Sequence, residues 1–192
     1  PAPQLDAFRA VRIVRSQAKQ PGNPCRVRDG QLAVCGFSAG GHLAACTGTI
    51  FNDPEVNAVA GDRADAESQR PDALILGYPV ISFDAEWGHV GSGRNLLGEG
   101  RESDYARFSL ERRVSAETPP AFLWHTADDG GVPVENSLRF AAALQHCNIP
   151  WGLHVFPHGR HGLGLAPECR DIRIWAELAS EFLVAGAGFE LE

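Results

Sequence analysis

The sequence lacks several features that would assign it to a class of protein directly. Its 192 residues include no run of about 18 apolar residues, so we expect no membrane-spanning helix. The five cysteines are an odd number and include no C-x-x-C pair, which favours free, buried thiols over a disulfide framework. The formal net charge of -7 argues against a nucleic acid as the main partner. The chain contains no internal repeat and no low-complexity tract.

The remaining composition is that of one globular domain. Apolar residues make up 44% of the chain, which is enough for one substantial core, and we treat residues 1–192 as a single domain. Apolar runs predict β-strands at residues 32–37, 73–78, 122–125 and 151–156. Helical patterns cover residues 5–19, 135–147 and 171–184. Strands that alternate with helices predict the α/β class, with a mostly parallel sheet covered by helices on both faces.

The first predicted helix has two chemically distinct faces. Its apolar stripe consists of Leu5, Phe8, Val11, Val14 and Ala18. Basic side chains are expected to cover the opposite face: Arg9, Arg12, Arg15 and Lys19. This pattern is typical of an amphipathic helix, and the turn formers at residues 21–24 end it.

A serine between glycines directly follows the first predicted strand. Residues 36–40 read Gly-Phe-Ser-Ala-Gly, which matches the G-x-S-x-G pattern of a nucleophile elbow. At such an elbow a strand turns sharply into a helix, and only small neighbours let the two arms of the turn approach each other. Ser38 is therefore a candidate nucleophile, and the amide of Ala39 is a candidate oxyanion donor. The short pattern can arise by chance in a Gly-rich chain, so the interpretation needs a base and an acid later in the chain.

Histidines are numerous enough to compete for the role of the base: His42, His89, His125, His146, His154, His158 and His161. Two of these lie in predicted helices, two lie in apolar runs, and His89 lies in an irregular stretch. His158 and His161 belong to a segment rich in turn formers, just after the fourth predicted strand and at the rim of the sheet. We choose His161 as the base, and His158 is the alternative.

A zinc site is a second interpretation of the same region. Its ligands would be His154, His158, His161 and Cys169. These histidines lie across a strand-to-loop turn and not on one face, which argues against a tetrahedral site. We expect neither a metal nor a cofactor.

Two adjacent aspartates follow the third predicted strand. They lie in the polar loop at residues 126–133, at the end of the strand where ligands and catalytic groups collect in open α/β sheets. Asp128 and Asp129 cannot both face the histidine, so one would orient it and the other would be solvated or cap a helix. Ser38, one of these aspartates and His161 would then follow the order Ser, Asp, His, each just after a strand.

Five segments together carry a family resemblance, at residues 36–44, 125–129, 132–137, 156–157 and 161–164. They resemble the α/β-hydrolase esterases, in particular the acetyl-esterase and acetylxylan-esterase-like branch, and the resemblance implies the α/β-hydrolase fold. In that superfamily a loop often reads His-Gly-Thr-x-Asp, which maps His125 to the first position and Asp129 to the catalytic fifth. The usual spacing back from Val132-Pro133 also falls on Asp129, so we choose Asp129 over Asp128. Gly130-Gly131 departs from the pattern and predicts a looser acid loop.

The beginning of the chain also departs from the family pattern. In the family, several strands and a Gly-rich loop precede the helix with which this chain opens, and that loop supplies part of the oxyanion hole. We therefore expect Pro1 to begin the C-terminal part of a longer polypeptide, with the N-terminal strands and the second oxyanion donor absent. The edge of the strand at residues 32–37 would then be open, which predicts a homo-oligomer through this edge.

Residues 80–119 interrupt the alternation of strands and helices. Five glycines and many charged residues fall in this stretch, and short helical turns are expected only near residues 105–114. A long irregular segment at the rim of a sheet usually covers a substrate or forms a surface insertion. We expect a small cap.

The resemblance implies a serine hydrolase that cleaves carboxylic esters with small acyl groups, such as acetyl groups on sugars or xylan, through an acyl-enzyme. Its partner would be a small-molecule or carbohydrate ester, and neither nucleic acid nor a membrane. Two alternatives stay open. A prolyl-oligopeptidase-like peptidase would use the same three residues but usually needs a gating domain, and a hydrolase-like binding module would have little or no activity.

Overall fold

A computed structural model of the chain describes residues 2–23 and 26–190, and strands alternate with helices along these ranges. The strands are β1 (Ala33–Phe37), β2 (Ala73–Gly77), β3 (Ala121–Thr126) and β4 (Trp151–Phe156). The α-helices are α1 (Ala2–Ala18), α2 (Ala39–Thr49), α3 (Val90–Leu97), α4 (Glu135–His146) and α5 (Trp175–Ala185). Short 3₁₀ helices lie at Pro54–Val56, Arg63–Ala66, Glu102–Phe108 and Leu110–Arg112.

The sheet confirms the predicted parallel architecture. Within the described ranges its four strands lie in the order β1-β2-β3-β4, and every neighbouring pair is parallel. The register places Phe37 beside Gly77, and Gly77 beside Trp124. Because all strands run the same way, the loops that follow β1, β2, β3 and β4 leave the sheet at one edge.

Helices cover both faces of the sheet, as the alternating pattern predicts. Side chains alternate between the faces along a strand, so Leu123 of β3 packs on one side and Trp124 on the other. The first face packs against α1, α2 and α4 through residues such as Phe8 and Phe140. The second face packs against α5 through Trp175. The central strands β2 and β3 are therefore almost fully buried.

Helix α1 differs from the prediction on its basic face. Arg12 and Arg15 are buried, and are not a solvated counterpart to the apolar stripe. Arg12 donates to Asn57 Oδ1 at 2.9 Å, and Arg15 donates to Asp72 Oδ1 at 2.9 Å. The chain between α2 and β2 folds over this face and supplies acceptors for the terminal nitrogens of both guanidinium groups, whereas each Nε is buried without a partner in the described chain.

The stretch at residues 80–119 contributes to the main core. Phe83, Phe108 and Leu110 are buried in the same cluster as the α1 and α2 side chains. Helix α3, which lies in this stretch, is an element that the irregular sequence pattern did not predict. Whether the segment also acts as a cap over a substrate stays a prediction.

Among the described residues, β1 has a strand neighbour on one side only. Cys35 is exposed there, so the expectation that the cysteines are buried is wrong for this residue. Cys46 is buried, Cys147 and Cys169 are partly buried, and all four are free, whereas Cys25 lies outside the described residues. None of the described helices is long and apolar enough to cross a membrane.

The elbow between β1 and α2 gives a stability prediction. A Cβ atom at Gly36 would lie 2.2 Å from the carbonyl oxygen of Gly40, whereas a Cβ at Gly40 meets no atom within 4 Å. We expect Gly36→Ala to lower the free energy of unfolding by about 3 kcal/mol, because the backbone must shift to admit the methyl group. The matched control Gly40→Ala should leave it unchanged or raise it by up to about 1 kcal/mol. Urea unfolding of both variants checks this, and equal effects would contradict it.

Candidate active site

Ser38 occupies the strained turn between β1 and α2. Its φ of 55° and ψ of -124° lie in a region that L-residues rarely adopt. The backbone of the neighbouring segment fastens the turn: Ser38 N–H donates to Gly77 O at 3.1 Å, and Val80 N–H donates to Ser38 O at 3.0 Å. Close packing adds to this, since a Cβ at Gly41 would lie 2.7 Å from Pro79 Cβ. The turn presents the Ser38 hydroxyl at the carboxyl edge of the sheet.

The structure brings the three predicted residues into one hydrogen-bonded chain. Ser38 Oγ lies 2.7 Å from His161 Nε2, and His161 Nδ1 lies 2.8 Å from Asp129 Oδ2 and 3.1 Å from Oδ1. Ser38 follows β1, Asp129 follows β3 and His161 follows β4. Residues up to 123 positions apart thus meet because the parallel strands that precede them end at the same edge of the sheet.

The Asp129 carboxylate is held ionised by its neighbours. Its side chain is 1% exposed, and burial by itself would raise its pKa. Hydrogen bonds from the amides of Val132 at 3.0 Å and Gly131 at 2.8 Å, together with that from His161, outweigh burial and lower the pKa below its usual value. A carboxylate only accepts, so His161 Nδ1 carries a proton and Nε2 is left to accept from Ser38.

Asp128 and His158 form a separate pair at the surface. His158 Nδ1 lies 2.9 Å from Asp128 Oδ2, and the two side chains are 86% and 52% exposed. Neither side chain joins the chain formed by Ser38, His161 and Asp129. The choice of His161 over His158 and of Asp129 over Asp128 stays a prediction, and these contacts support it.

The glycine pair in the acid loop makes room for the imidazole. A Cβ at Gly131 would lie 2.8 Å from His161 Cγ, so a larger residue would displace the ring. The loop is also closed by the two amide hydrogen bonds to Asp129 Oδ1. Gly130-Gly131, which the family pattern lacks, therefore does not loosen the acid loop, because Gly131 packs closely against His161.

Two further histidines are buried and neutral. His42 Nε2 lies 2.8 Å from Phe108 O, and burial lowers the pKa of His42 to about 4. Burial also lowers the pKa of His125, whose Nε2 lies 3.0 Å from Val132 O and 3.5 Å from Asp129 Oδ2. A carbonyl only accepts, so Nε2 carries the proton and Nδ1 accepts from Ser137 at 2.8 Å. His125, which lies in an apolar run of the sequence, thus supports the loop that carries Asp129.

The remaining histidines do not approach Ser38. His89 caps the start of α3 and accepts from Ser92 N–H at 3.1 Å. His146 lies at the exposed end of α4, and His154 lies in β4. The described residues contain no group of three or more His, Cys, Asp or Glu side chains placed to hold a metal ion. His161, one of the four ligands in the zinc interpretation, is instead hydrogen-bonded to Asp129.

The amide of Ala39 opens the first turn of α2 beside the nucleophile. Within the described residues no protein group accepts its hydrogen bond. A cavity of about 350 Å³ lies next to it, with walls formed by residues such as Gln4, Leu43, Phe83 and Leu96. Gln4 is buried, and its Oε1 has no hydrogen-bond partner in the described chain. The site thus offers a free N–H next to Ser38 and room for a small group.

The sequence analysis did not identify two residues that contact His161 or its loop. Tyr78 stands at the end of a predicted strand and gives no motif signal, yet its ring lies 5.0 Å from the His161 ring. Trp175 opens α5 and donates to Gly164 O in the His161 loop at 3.0 Å. The position of Tyr78, at the carboxyl end of the strand next to the elbow, is the sequence signal that could have identified it.

A strained serine elbow on a parallel sheet, with a Ser–His–Asp chain at its carboxyl edge, is the arrangement of an α/β hydrolase. The chain belongs to the BD-FAE family, whose model matches residues 1–144. This match includes Ser38 and Asp129 and ends before His161.

Individual relatives agree with this family. The endo-1,4-beta-xylanase B of Butyrivibrio fibrisolvens is 41% identical over 165 residues, which cover 85% of this chain and 25% of that protein. The acetylxylan esterase of Xylanibacter ruminicola is 32% identical over 167 residues, which cover 84% of this chain and 31% of that protein. The chain thus spans between a quarter and a third of the length of these two relatives.

A solved structure shows the same fold. The acetyl ester-xyloside bifunctional hydrolase from Caldicellulosiruptor lactoaceticus is 47% identical, with a TM-score of 0.86 over 95% of this chain and 65% of that one. The resemblance to the α/β-hydrolase esterases of the acetyl-esterase and acetylxylan-esterase-like branch is confirmed.

Proposed function

We propose that the protein hydrolyses carboxylic esters with small acyl groups, with acetyl groups on xylan or other sugars as the favoured substrates. The observation that carries this proposal is the hydrogen-bonded chain from Ser38 through His161 to the buried Asp129, built on a strained elbow. The names of the acetylxylan esterase and the acetyl ester-xyloside hydrolase support the acetyl group and the sugar. No cofactor enters the reaction.

The first half of the reaction forms an acyl-enzyme. Ser38 Oγ attacks the acyl carbon of the ester while its proton passes to His161 Nε2. The negative charge that develops on the carbonyl oxygen is stabilised by the Ala39 N–H and by the start of α2. The intermediate then collapses, His161 Nε2 returns its proton to the alcohol oxygen, and the alcohol leaves. Asp129 stabilises the imidazolium that exists between these two proton transfers.

The second half releases the acid by the same groups in reverse. Water attacks the acyl carbon and gives a proton to His161 Nε2, and the oxyanion again accepts from Ala39 N–H. Collapse breaks the bond to Ser38 Oγ, which takes the proton back from His161. The products are a carboxylic acid and the regenerated hydroxyl group.

The two alternatives are less well supported. The three relatives reported above are named as two esterases or ester hydrolases and one xylanase, and none of these names describes a peptidase. A binding module without activity would not need Ser38 in a strained conformation directly opposite a histidine base. The names of these relatives therefore favour ester hydrolysis over peptide hydrolysis, and the polar chain favours it over a binding module.

The predicted substrate is a small-molecule or carbohydrate ester. A homo-oligomer that forms through the unpaired edge of β1 is a second proposal. An unpaired strand edge offers free N–H and C=O groups to another chain. The molar mass in solution, measured by light scattering, should then be that of a dimer or larger, and a monomer at all concentrations would contradict it.

Loss of the nucleophile is the direct test of ester hydrolysis. We expect Ser38→Ala to lower kcat for p-nitrophenyl acetate by roughly 10⁴-fold or more, because the remaining groups cannot form the acyl-enzyme. The melting temperature should not fall, since alanine removes one hydroxyl from a strained turn. Hydrolysis at the parental rate would rule out the mechanism, and cleavage of a proline-containing dipeptide in preference to the ester would favour the peptidase.

The adjacent aspartates provide a matched pair of variants. We expect Asp129→Asn to lower kcat by about 10⁴-fold, because an amide facing His161 favours the wrong tautomer. Asp128→Asn should change kcat by less than about threefold, since the amide keeps an oxygen that can accept from Gly159 N–H and only the exposed contact with His158 is weakened. Steady-state kinetics with p-nitrophenyl acetate measure both, and a larger effect at Asp128 would reverse the assignment of the acid.

A further inference from the structure

The loop that carries His161 has little regular structure of its own. It runs from the end of β4 at Phe156 to the start of α5 at Trp175, and it contains no α-helix or strand. Gly162 and Gly164 adopt φ values of 82° and 59°, so the backbone is left-handed at two positions just after the imidazole. Hydrogen bonds from neighbouring elements must therefore fix the position of His161.

The loop is attached to the sheet on the N-terminal side of His161 at Gly159. Thr126 Oγ1 donates to Gly159 O at 2.8 Å, and Gly159 N–H donates to Asp128 Oδ1 at 2.8 Å. Both polar backbone atoms of this glycine are thus bound by side chains at the end of β3. A Cβ at Gly159 would lie 2.7 Å from the Thr126 methyl carbon, which shows how closely the loop sits on the strand.

A second attachment lies on the C-terminal side, at Gly164. Its N–H donates to Tyr78 Oη at 2.9 Å, and its carbonyl oxygen accepts from Trp175 Nε1 at 3.0 Å. Again both polar backbone atoms of one glycine are bound by side chains. Trp175 stacks on Trp124 with ring centroids 5.3 Å apart, so this second attachment is anchored in the core.

Tyr78 connects this attachment to the nucleophile. It follows β2 with a φ of 35°, and its N–H donates to Trp124 O at 2.7 Å. Two residues further on, Val80 N–H donates to Ser38 O, so the segment that carries Tyr78 is fastened to the elbow. The Tyr78 ring is 5% exposed and meets the His161 ring edge-on, with centroids 5.0 Å apart and an interplanar angle of 73°.

We propose that Tyr78 is a positioning residue, which sets the distance and orientation of His161 relative to Ser38. Its hydroxyl holds the loop at Gly164, its ring limits the movement of the imidazole, and its backbone belongs to the segment that holds the elbow. Proton transfer between Ser38 and His161 depends steeply on their separation, so release of one attachment lowers the rate without removing a reacting group. The inference rests on the proposed ester hydrolysis for its kinetic consequence.

The chain offers a matched pair of variants, because Tyr78 and Tyr105 are its two tyrosines. Tyr78→Phe removes the acceptor of the Gly164 N–H and keeps the ring. Tyr105→Phe removes the same atom from a partly buried ring, and there no hydrogen bond is lost, because the buried Tyr105 hydroxyl has no partner in the described chain. We expect Tyr78→Phe to lower kcat for p-nitrophenyl acetate about five- to tenfold with KM within twofold, and Tyr105→Phe to leave both unchanged.

A second readout does not depend on turnover. The proton between His161 Nδ1 and Asp129 should give a far-downfield ¹H NMR resonance, identified by its loss in His161→Ala. We expect this resonance to broaden and exchange faster with water in Tyr78→Phe, and to be unchanged in Tyr105→Phe. If Tyr78→Phe does not fold, Trp175→Phe releases the other polar atom of Gly164 and should act in the same direction.

The outcomes separate this inference from the proposed function. Equal kcat values and equal resonances in Tyr78→Phe and Tyr105→Phe would overturn the positioning role. A parent protein that does not hydrolyse esters would overturn the proposed function, while the resonance would still decide whether Tyr78 holds His161. A fall in melting temperature of Tyr78→Phe with an unchanged resonance would mean a purely structural role and would also contradict the inference.

Discussion

The left-handed turn at Ser38 is the constraint on which the rest of the site depends. A non-glycine residue at a φ of 55° costs roughly 1–3 kcal/mol, so the surrounding structure must hold it there. Gly36 leaves space for the carbonyl of Gly40, and the backbone of residues 77–80 binds both the N–H and the carbonyl oxygen of Ser38. The hydroxyl group therefore stands at a fixed point at the carboxyl edge of the sheet, and the other functional groups are arranged around it.

Parallel topology explains how distant residues reach that point. Strands β1 to β4 end at the same edge, so the loops after β1, β3 and β4 bring Ser38, Asp129 and His161 together. Differences in burial then distinguish the two neighbouring aspartates. Asp129 is buried and accepts from two backbone N–H groups and the imidazole. Asp128, one position away in sequence, and His158, three positions from His161, are instead largely exposed. The base is thus oriented by one carboxylate, and the second carboxylate attaches the loop that carries it.

Much of this arrangement could be predicted from sequence because its signals are local. Glycines around Ser38 indicate a sharp turn. The family resemblance, with its usual spacing back from Val132-Pro133, selects Asp129, the aspartate that contacts His161. The loop position of His161 after a strand likewise places it at the rim. The strands also appear in the sequence as short apolar runs, since β2 and β3 are buried on both faces.

Other features depend on contacts between distant parts of the chain, and no local pattern contains them. The burial of Arg12 and Arg15 requires acceptors from residues that follow α2 and from Asp72. The need for Gly131 becomes visible only when the His161 ring is in place, and the hydrogen bond from Gly164 to Tyr78 spans 86 positions. Helix α3 was missed because its glycines weaken the helical pattern, while its packing against Phe83 depends on the fold.

The central claim is that Ser38 is an activated nucleophile in the folded protein. The most direct measurement is mass spectrometry of the intact protein after treatment with a fluorophosphonate, followed by peptide mapping of the adduct. The account predicts one adduct per chain, located on Ser38 and absent from protein unfolded before treatment. A folded protein that forms no adduct, or one that is modified at another residue with Ser38 free, would contradict the account.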